Sequence, residues 1–252
     1  MIYLGDKAIG LSHRVFLNWD KVAQGTENLS IFDNVCLSDD ITTIVDNAFG
    51  GLPIKNITGN AVTSINYRGF YNCRYLTSIN FSNAETIDSE AFRYCASRFT
   101  SSPFQKLKTI GNHAFRDCAI EYLIAPEVTQ IGGDAFYANA NLKCTDLGNR
   151  NIMSGFTGTS YCFEQNATCI VILRYGYVLP AASGWFYSNC WLKNSSKPGT
   201  LYVWRDLIEE YQNHPVWGPL LASNGNHILP IEGSIYEANY GDGTPIVQGG
   251  NI

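Results

Sequence analysis

Between Ile44 and Phe136 one apolar phrase recurs: an isoleucine, three variable residues, a small residue and a phenylalanine. The copies are Ile44–Phe49, Ile65–Phe70, Ile87–Phe92, Ile110–Phe115 and Ile131–Phe136. Isoleucine always stands five residues ahead of phenylalanine, and the phenylalanines step by 21, 22, 23 and 21 residues. A fixed period in the twenties, with apolar positions that hold while their neighbours vary, predicts a solenoid with one coil per period. A second pattern precedes the phrase. In Leu76-Thr-Ser-Ile79-Asn-Phe81 the apolar residues take positions one, four and six. That spacing predicts a strand with Leu76, Ile79 and Phe81 inward and Thr77, Ser78 and Asn80 toward solvent. The small residue ahead of each phenylalanine fits a bend where the next coil lies about 4.8 Å away.

Outside these copies the pattern loosens. Residues 2–9 read as a hairpin: Ile2 and Leu4 alternate with Tyr3, Gly5-Asp6 supplies the turn, and Ala8-Ile9 returns. Val15–Trp19 reads as a further strand and 20–34 as irregular. Residues 1–40 are thus expected to form an N-terminal β-hairpin cap and attachment segment over the open end of the stack. The solenoid is expected over 41–203. Past Phe136, Phe163 and Phe186 carry it on at steps of 27 and 23 residues, each followed by Asn or Cys, with strands at Cys169–Leu173 and Leu201–Val203. This makes about seven coils. Asn149–Thr159 reads as a surface loop, and Ser97–Gln105 and Ser195–Gly199 as insertions. Residues 204–221 switch to helical spacing: Leu207, Ile208, Tyr211, Trp217, Leu220 and Leu221 are apolar, with a break at His214-Pro215. Residues 204–230 are expected to be a helical C-terminal cap, and 231–252 a glycine-rich tail, extended or poorly ordered.

Composition narrows the function classes. Of 252 residues, 45% are apolar and 15% charged, which suits a packed core and argues against disorder. The net charge of −5 comes without a basic block, so nucleic acid is not an expected partner. Cys169–Leu173 is the longest apolar cluster, far short of the roughly 20 residues that span a bilayer, so no membrane insertion is expected. The opening residues lack a basic leader, an apolar core and a small-residue cleavage site; secretion by that route would need a leader ahead of Met1. Cys73, Cys95 and Cys118 each follow a repeat phenylalanine by three and so form one column of the stack. They read as reduced, buried residues, not disulfides or a zinc site. His113 shares its repeat position with Asn47, Arg68, Glu90 and Asp134, which reads as an exposed, interchangeable column. Asp39-Asp40 reads as a solvated turn, and Glu209-Glu210 as a polar helix face. No nucleophile elbow, phosphate loop or dinucleotide fingerprint occurs. Neither a cofactor nor a metal is expected, and catalysis is not.

The phrase in Glu85–Cys95 and Lys108–Cys118, Thr and Ile followed by Ala-Phe and then Cys, resembles the BspA-type leucine-rich repeat. The resemblance runs over 41–203, and the strand and helical residues Leu201–Val203, Leu207, Tyr211 and Trp217 resemble the cap that closes such arrays. It implies a β-rich α+β solenoid, a leucine-rich-repeat array with an N-terminal β cap and a C-terminal helical cap. Proteins with this repeat are mostly adhesins and surface-binding proteins of bacteria and some protists, and similar repeats occur in bacteriophage virions. Residues 1–9 resemble the start of phage tail or baseplate proteins. The resemblance brings no catalytic residues. It implies a non-enzymatic structural or recognition protein, a virion component of tail, baseplate or fibre that mediates protein–protein or host-surface attachment. The alternative is a bacterial cell-surface adhesin binding a host protein or glycan. The expected partners are other virion or surface proteins and a host receptor or glycan, with self-association through an end of the array compatible with both. The candidate binding surface is the strand face: Asn80, Glu121, Tyr122, Ile124, Asp146 and Arg174, with Thr77, Ser78 and Lys143. A late cluster, Trp185, Tyr187, Trp191 and Trp204, reads as cap packing or as a binding platform.

Overall fold

A computed structural model describes residues 2–4, 32–95, 104–158, 170–180, 192 and 198–237. The chain coils into a parallel β-solenoid. One sheet pairs Ile2–Leu4, Phe32–Leu37, Ile54–Thr58 and Ser78–Asn80 in that order. A second stacks Thr43–Ile44, Ser64–Ile65, Thr86–Ile87, Thr109–Ile110, Gln130–Ile131 and Thr157–Gly158. A third runs Tyr122–Ala125, Cys144–Leu147, Ile170–Leu173, Thr200–Val203 and His227–Pro230. Ser78 and Tyr122 each precede their coil's isoleucine by nine residues, so the first and third sheets occupy the same place in the repeat. Both are called the strand column below.

The repeated apolar residues face inward. Ile44, Ile65, Ile87, Ile110 and Ile131 are paired or stacked coil to coil and essentially inaccessible. Phe49, Phe70, Phe92, Phe115 and Phe136 form one column of rings, 5.1–6.1 Å apart between centroids and within 6° of parallel. Phe81 and Phe104 lean on that column from the strand side. Leu76, Ile79 and Phe81 are buried while Thr77, Ser78 and Asn80 are exposed, as their spacing predicts.

How the chain bends around each phenylalanine follows from where its amides go. Ala48, Gly50 and Leu52 donate to residues three back in the same coil, closing tight turns. Asn47, Phe49 and Gly51 donate to Tyr67, Gly69 and Tyr71 of the next coil. Alternating near and far partners satisfy the backbone through a bend that is neither helix nor strand. The geometry requires left-handed backbone two residues before and two residues after the phenylalanine. Asn47, Arg68, Glu90, His113 and Asp134 form one such column, with φ between 51° and 57°. Gly51, Asn72, Tyr94, Asp117 and Ala138 form the other. The column of His113 is therefore not freely interchangeable: its members are half-buried and share a conformation that L residues adopt at a cost of roughly 1–2 kcal/mol.

The cysteine column has a hydrogen-bonding role. The thiols of Cys73, Cys95 and Cys118 donate to the carbonyls of Phe49, Phe70 and Phe92 at 3.0, 3.0 and 2.7 Å. Burial pushes the thiols of Cys95 and Cys118 well up, which keeps them protonated and able to donate. One coil on, Asn139 takes the same place, and its Nδ2 donates to Phe115 and Phe136 carbonyls at 2.6 and 2.8 Å. All five cysteines among the described residues, these three with Cys36 and Cys144, are reduced. Gly132 stands where a Cβ would come within 2.4–2.7 Å of Asn112 and Gly111, so that crossing between coils excludes a side chain.

Several elements differ from expectation. Ile2–Leu4 pairs in parallel with Phe32–Leu37 and so extends the stack; the return arm at Ala8-Ile9 and the strand at Val15–Trp19 lie outside the described residues. Phe32–Leu37 begins inside the stretch read as irregular. Within the expected loop Asn149–Thr159, Thr157–Gly158 pairs with Gln130–Ile131. Gly158 occupies the isoleucine position of a sixth coil, five residues ahead of Phe163, and a glycine there hides the phrase. Phe163 and Phe186 lie outside the described residues. The helical segments are Ile208–Asn213, led by a 3-10 turn at Arg205–Leu207, and Trp217–Leu221. Between them His214 Nδ1 accepts from the amides of Val216 and Trp217. Tyr211 and Trp217 meet edge to face in the core, and Trp217 Nε1 donates to Leu179 O at 2.9 Å. A last strand, His227–Pro230, follows the helices in parallel with Thr200–Val203. Only four residues long and ending in proline, it gives too little alternation to read in sequence.

Candidate functional site

Side chains alternate across a strand, so the outward residues of the strand column form rows from coil to coil. In the first sheet the rows are Asn34, Asn56, Ser78 and Cys36, Thr58, Asn80. Asn34, Thr58, Ser78 and Asn80 are exposed and Asn56 half-buried. The rows are tied together: Asn56 Nδ2 donates to Asn34 Oδ1 at 3.2 Å, and Thr77 Oγ1 donates to Lys55 O at 3.1 Å. The result is a neutral surface of amides and hydroxyls whose positions the ladder holds fixed. Its chemistry is that of hydrogen bonding.

The third sheet is different. Its outward rows are Tyr122, Cys144, Ile170, Thr200 and Ile124, Asp146, Ile172, Tyr202. Here two expected surface residues need correction. Asp146 and Arg174 are 3% and 2% exposed. Arg174 donates through Nε and Nη2 to the two carboxylate oxygens of Asp146 at 2.7 and 2.9 Å, and through Nη2 to the Tyr236 carbonyl. Residues 231–236 lie against this pair, and Trp204 adds a hydrogen bond to the Arg174 carbonyl. Ile231 and Tyr236 pack on Cys144 and Ile172, and the Tyr236 ring meets Tyr202 edge-on at 4.8 Å. That cover comes from a distant part of the chain, which no local pattern announces. Burial pushes the Tyr236 phenol up and keeps it neutral.

The other expected residues stand at the border between the two sheets. Asn80 is exposed; Tyr122 and Ile124 are half-buried. Glu121 pairs with Lys143 at 3.3 Å, and the lysine lies 5.6 Å from the centre of the Tyr122 ring. The carboxylate raises the lysine above its ordinary range. Of the late aromatic cluster, Trp204 is half-buried, donates to Arg174 O at 2.7 Å and carries Arg150 on its ring at 4.9 Å. Trp185, Tyr187 and Trp191 lie outside the described residues.

A second surface lies along the left-handed columns. Arg68 stacks on Tyr67 and Tyr71, Arg93 on Tyr94, and Arg116 on Tyr137, at 4.4–4.8 Å. Acids interleave the arginines: Arg68 and Arg93 with Glu90, Arg93 and Arg116 with Asp117, and Arg116 and His113 with Asp134. Three arginines face three acids, so the strip is neutral overall. The residues sit at positions that vary between copies; alignment across coils pairs Arg68 with Glu90, Arg93 with Asp117 and Arg116 with Asp134, while Glu90–Arg93 and Arg116–Asp117 pair within a coil. Among the described residues no group of three or more His, Cys, Asp or Glu is placed to hold a metal ion. No helix among them is long and apolar enough to cross a membrane.

Residues 27–143 match the family model described as "BspA type Leucine rich repeat region", in 6 copies. No curated protein matches the chain. Among solved structures the chain is similar to a leucine-rich repeat protein from Bacteroides ovatus ATCC 8483, at 14% identity over 79% of this chain and 72% of that one, with a TM-score of 0.29.

Proposed function

The repeat region of this chain belongs to the BspA-type leucine-rich repeats, and from that premise we propose that the protein is a recognition component of a bacteriophage virion. Repeats of this type serve protein binding and adhesion, and stacked coils present extended surfaces for it. In this proposal the array sits in the tail, baseplate or a fibre and binds a protein of the virion or of the host surface. The observation that carries the binding role is the pair of rows Asn34-Asn56-Ser78 and Cys36-Thr58-Asn80, in which Asn34, Thr58, Ser78 and Asn80 are exposed and Asn56 and Cys36 half-buried. Fixed amides and hydroxyls, with Tyr122 and Ile124 at one end, suit a partner that supplies backbone or side-chain hydrogen bonds. The virion setting is supported by the likeness of residues 1–9 to the opening of phage tail proteins. Binding proceeds without metal or cofactor and without a reaction.

Mass spectrometry of purified virions tests the setting: the polypeptide is expected among the structural proteins, and its absence from them overturns the virion role. The second reading, a bacterial surface adhesin, is favoured by the same neutral hydrogen-bonding rows, which would also suit a glycan. It predicts that an antibody to the protein labels intact bacteria that carry no phage.

A further inference from the structure

The outward face of the third sheet carries an apolar patch beside a buried ion pair, where the same face of the first sheet is polar and open. Cys144 and Ile172 are shielded by Ile231 and Tyr236, with Tyr122, Ile170 and Tyr202 packed at the edges. The covering segment is held by these apolar contacts and by a few hydrogen bonds, among them Arg205 Nη2 to the Glu232 carbonyl at 3.2 Å. Ile231 N donates to Val203 O at 2.8 Å, Arg205 N donates to Glu232 Oε2 at 2.9 Å, and Arg174 donates to the Tyr236 carbonyl. Its own apolar residues do not all face the sheet: Ile235 is 65% exposed, and Leu229 just ahead of it 38%.

We propose that this face is a docking surface for a protein segment and that residues 231–237 close it in the isolated chain. The proposal rests on the reading that the outward strand face is the recognition surface, and extends that surface under the cover. The occupant is an extended segment of a partner protein with the chemistry the cover displays: an aliphatic side chain over Cys144 and Ile172, an aromatic ring against Tyr202, and a backbone carbonyl for Arg174. The buried ion pair supports a removable cover. Beneath a permanent cap, an apolar pair of the same volume would serve at least as well, because two charges lose their hydration there. If the cover leaves, Asp146 and Arg174 meet water as a solvated pair, and the face stays soluble. The Arg174 donor that meets the Tyr236 carbonyl in the closed chain is then met by a backbone carbonyl of the partner segment.

Cys144 reports the cover directly, and Cys95, deep in the coil core, reports global unfolding. The native full-length chain is treated with a maleimide, and each cysteine is followed by mass spectrometry of its peptide. Cys144 is expected to react at least about tenfold faster than Cys95, as local opening precedes global opening. Tyr236→Ala, and separately Glu232→Ala, should raise the Cys144 rate further and leave the Cys95 rate unchanged. A synthetic peptide of residues 229–239, at the millimolar level typical of a short tether, should then restore protection to Cys144 in the Tyr236→Ala chain. Cys144 reacting in step with Cys95 in the native chain and both variants overturns the removable cover. Failure of the peptide to protect Cys144 overturns the docking surface. Neither outcome touches the reading of the polar rows, which stands or falls on partner binding by Asn80 variants.

Discussion

Two stretches of one strand column share a backbone and differ in what they show the solvent. In the first sheet, rows of Asn, Ser and Thr lie open. In the third, rows holding Cys144, Asp146 and Ile172 lie under residues 231–236. Both present mainly buried aliphatic residues to the same core: Val35, Ile57 and Ile79 in one, Leu123, Val171 and Leu201 in the other, with Thr145 buried between Leu123 and Val171. Coil stacking thus depends on the inward positions and leaves the outward ones to be set by whatever lies against them. Outward residues are polar where water is their neighbour and mainly apolar where protein is, with the buried Asp146–Arg174 pair the exception.

Substitutions can break or sharpen that contrast. The largest effect is expected in the part both stretches share. Phe92→Ala removes a ring stacked on both sides, and should cost roughly 3–5 kcal/mol as a large core truncation. Urea unfolding should show a lower midpoint, with loss of structure in both sheets. Of similar size is Arg174→Met, which takes the guanidinium from a carboxylate that stays buried and should cost about 3–5 kcal/mol. Adding Asp146→Leu to Arg174→Met should return most of it, and a double mutant as unstable as the single would show that the charges matter for more than their mutual pairing. The next effect has the opposite sign. Ala138→Gly relieves left-handed strain but frees the unfolded chain, so a gain of up to about 1 kcal/mol is expected in the same unfolding measurement. Asn80→Ala, on the open rows, should change stability by no more than about 0.5 kcal/mol while weakening partner binding in a titration. Loss of stability on the scale of Phe92→Ala would show that the two stretches do not differ as described.

The smallest effect concerns the exposed pair Arg150–Asp206, which joins the third-sheet side to the helical cap. Hydrogen bonding to the guanidinium holds the Asp206 carboxyl below its usual range. A depressed folded value means the pair stabilises above the unfolded pKa, about 3.9, and the contribution disappears as pH falls through the lower folded value. Both side chains are half in water, so the contribution is at most a few tenths of a kcal/mol after screening. Asp206→Asn should therefore leave the neutral-pH midpoint nearly unchanged and slightly flatten its fall below pH of about 4.

The inward half of this protein was legible in its sequence. Isoleucine, phenylalanine and cysteine recur because each meets its own counterpart in the next coil, so period and burial coincide. The helical break at His214-Pro215 was equally plain, since proline removes a donor. What could not be read depends on contacts between distant residues or on conformation without side-chain signature. Asp146 and Arg174 look like surface charges until Tyr236 is laid over them. Asn139 looks unrelated to Cys118 until both are seen capping a phenylalanine carbonyl. The arginine–tyrosine strip arises from columns whose members vary from copy to copy. Gly158 marks a coil by standing in for an isoleucine.

The paired left-handed columns also bear on how such an array changes over generations. Nine of the ten positions hold a residue with a side chain, and none is Val, Ile or Thr. A branched β-carbon at positive φ is a genuine outlier, whereas Asn, Asp and His visit that region most readily. Mutational drift along this edge is therefore filtered before any partner acts on it. Random change there is steered away from the branched residues that would give it a dry, sticky surface. The bend that closes each coil thereby helps keep neighbouring molecules apart.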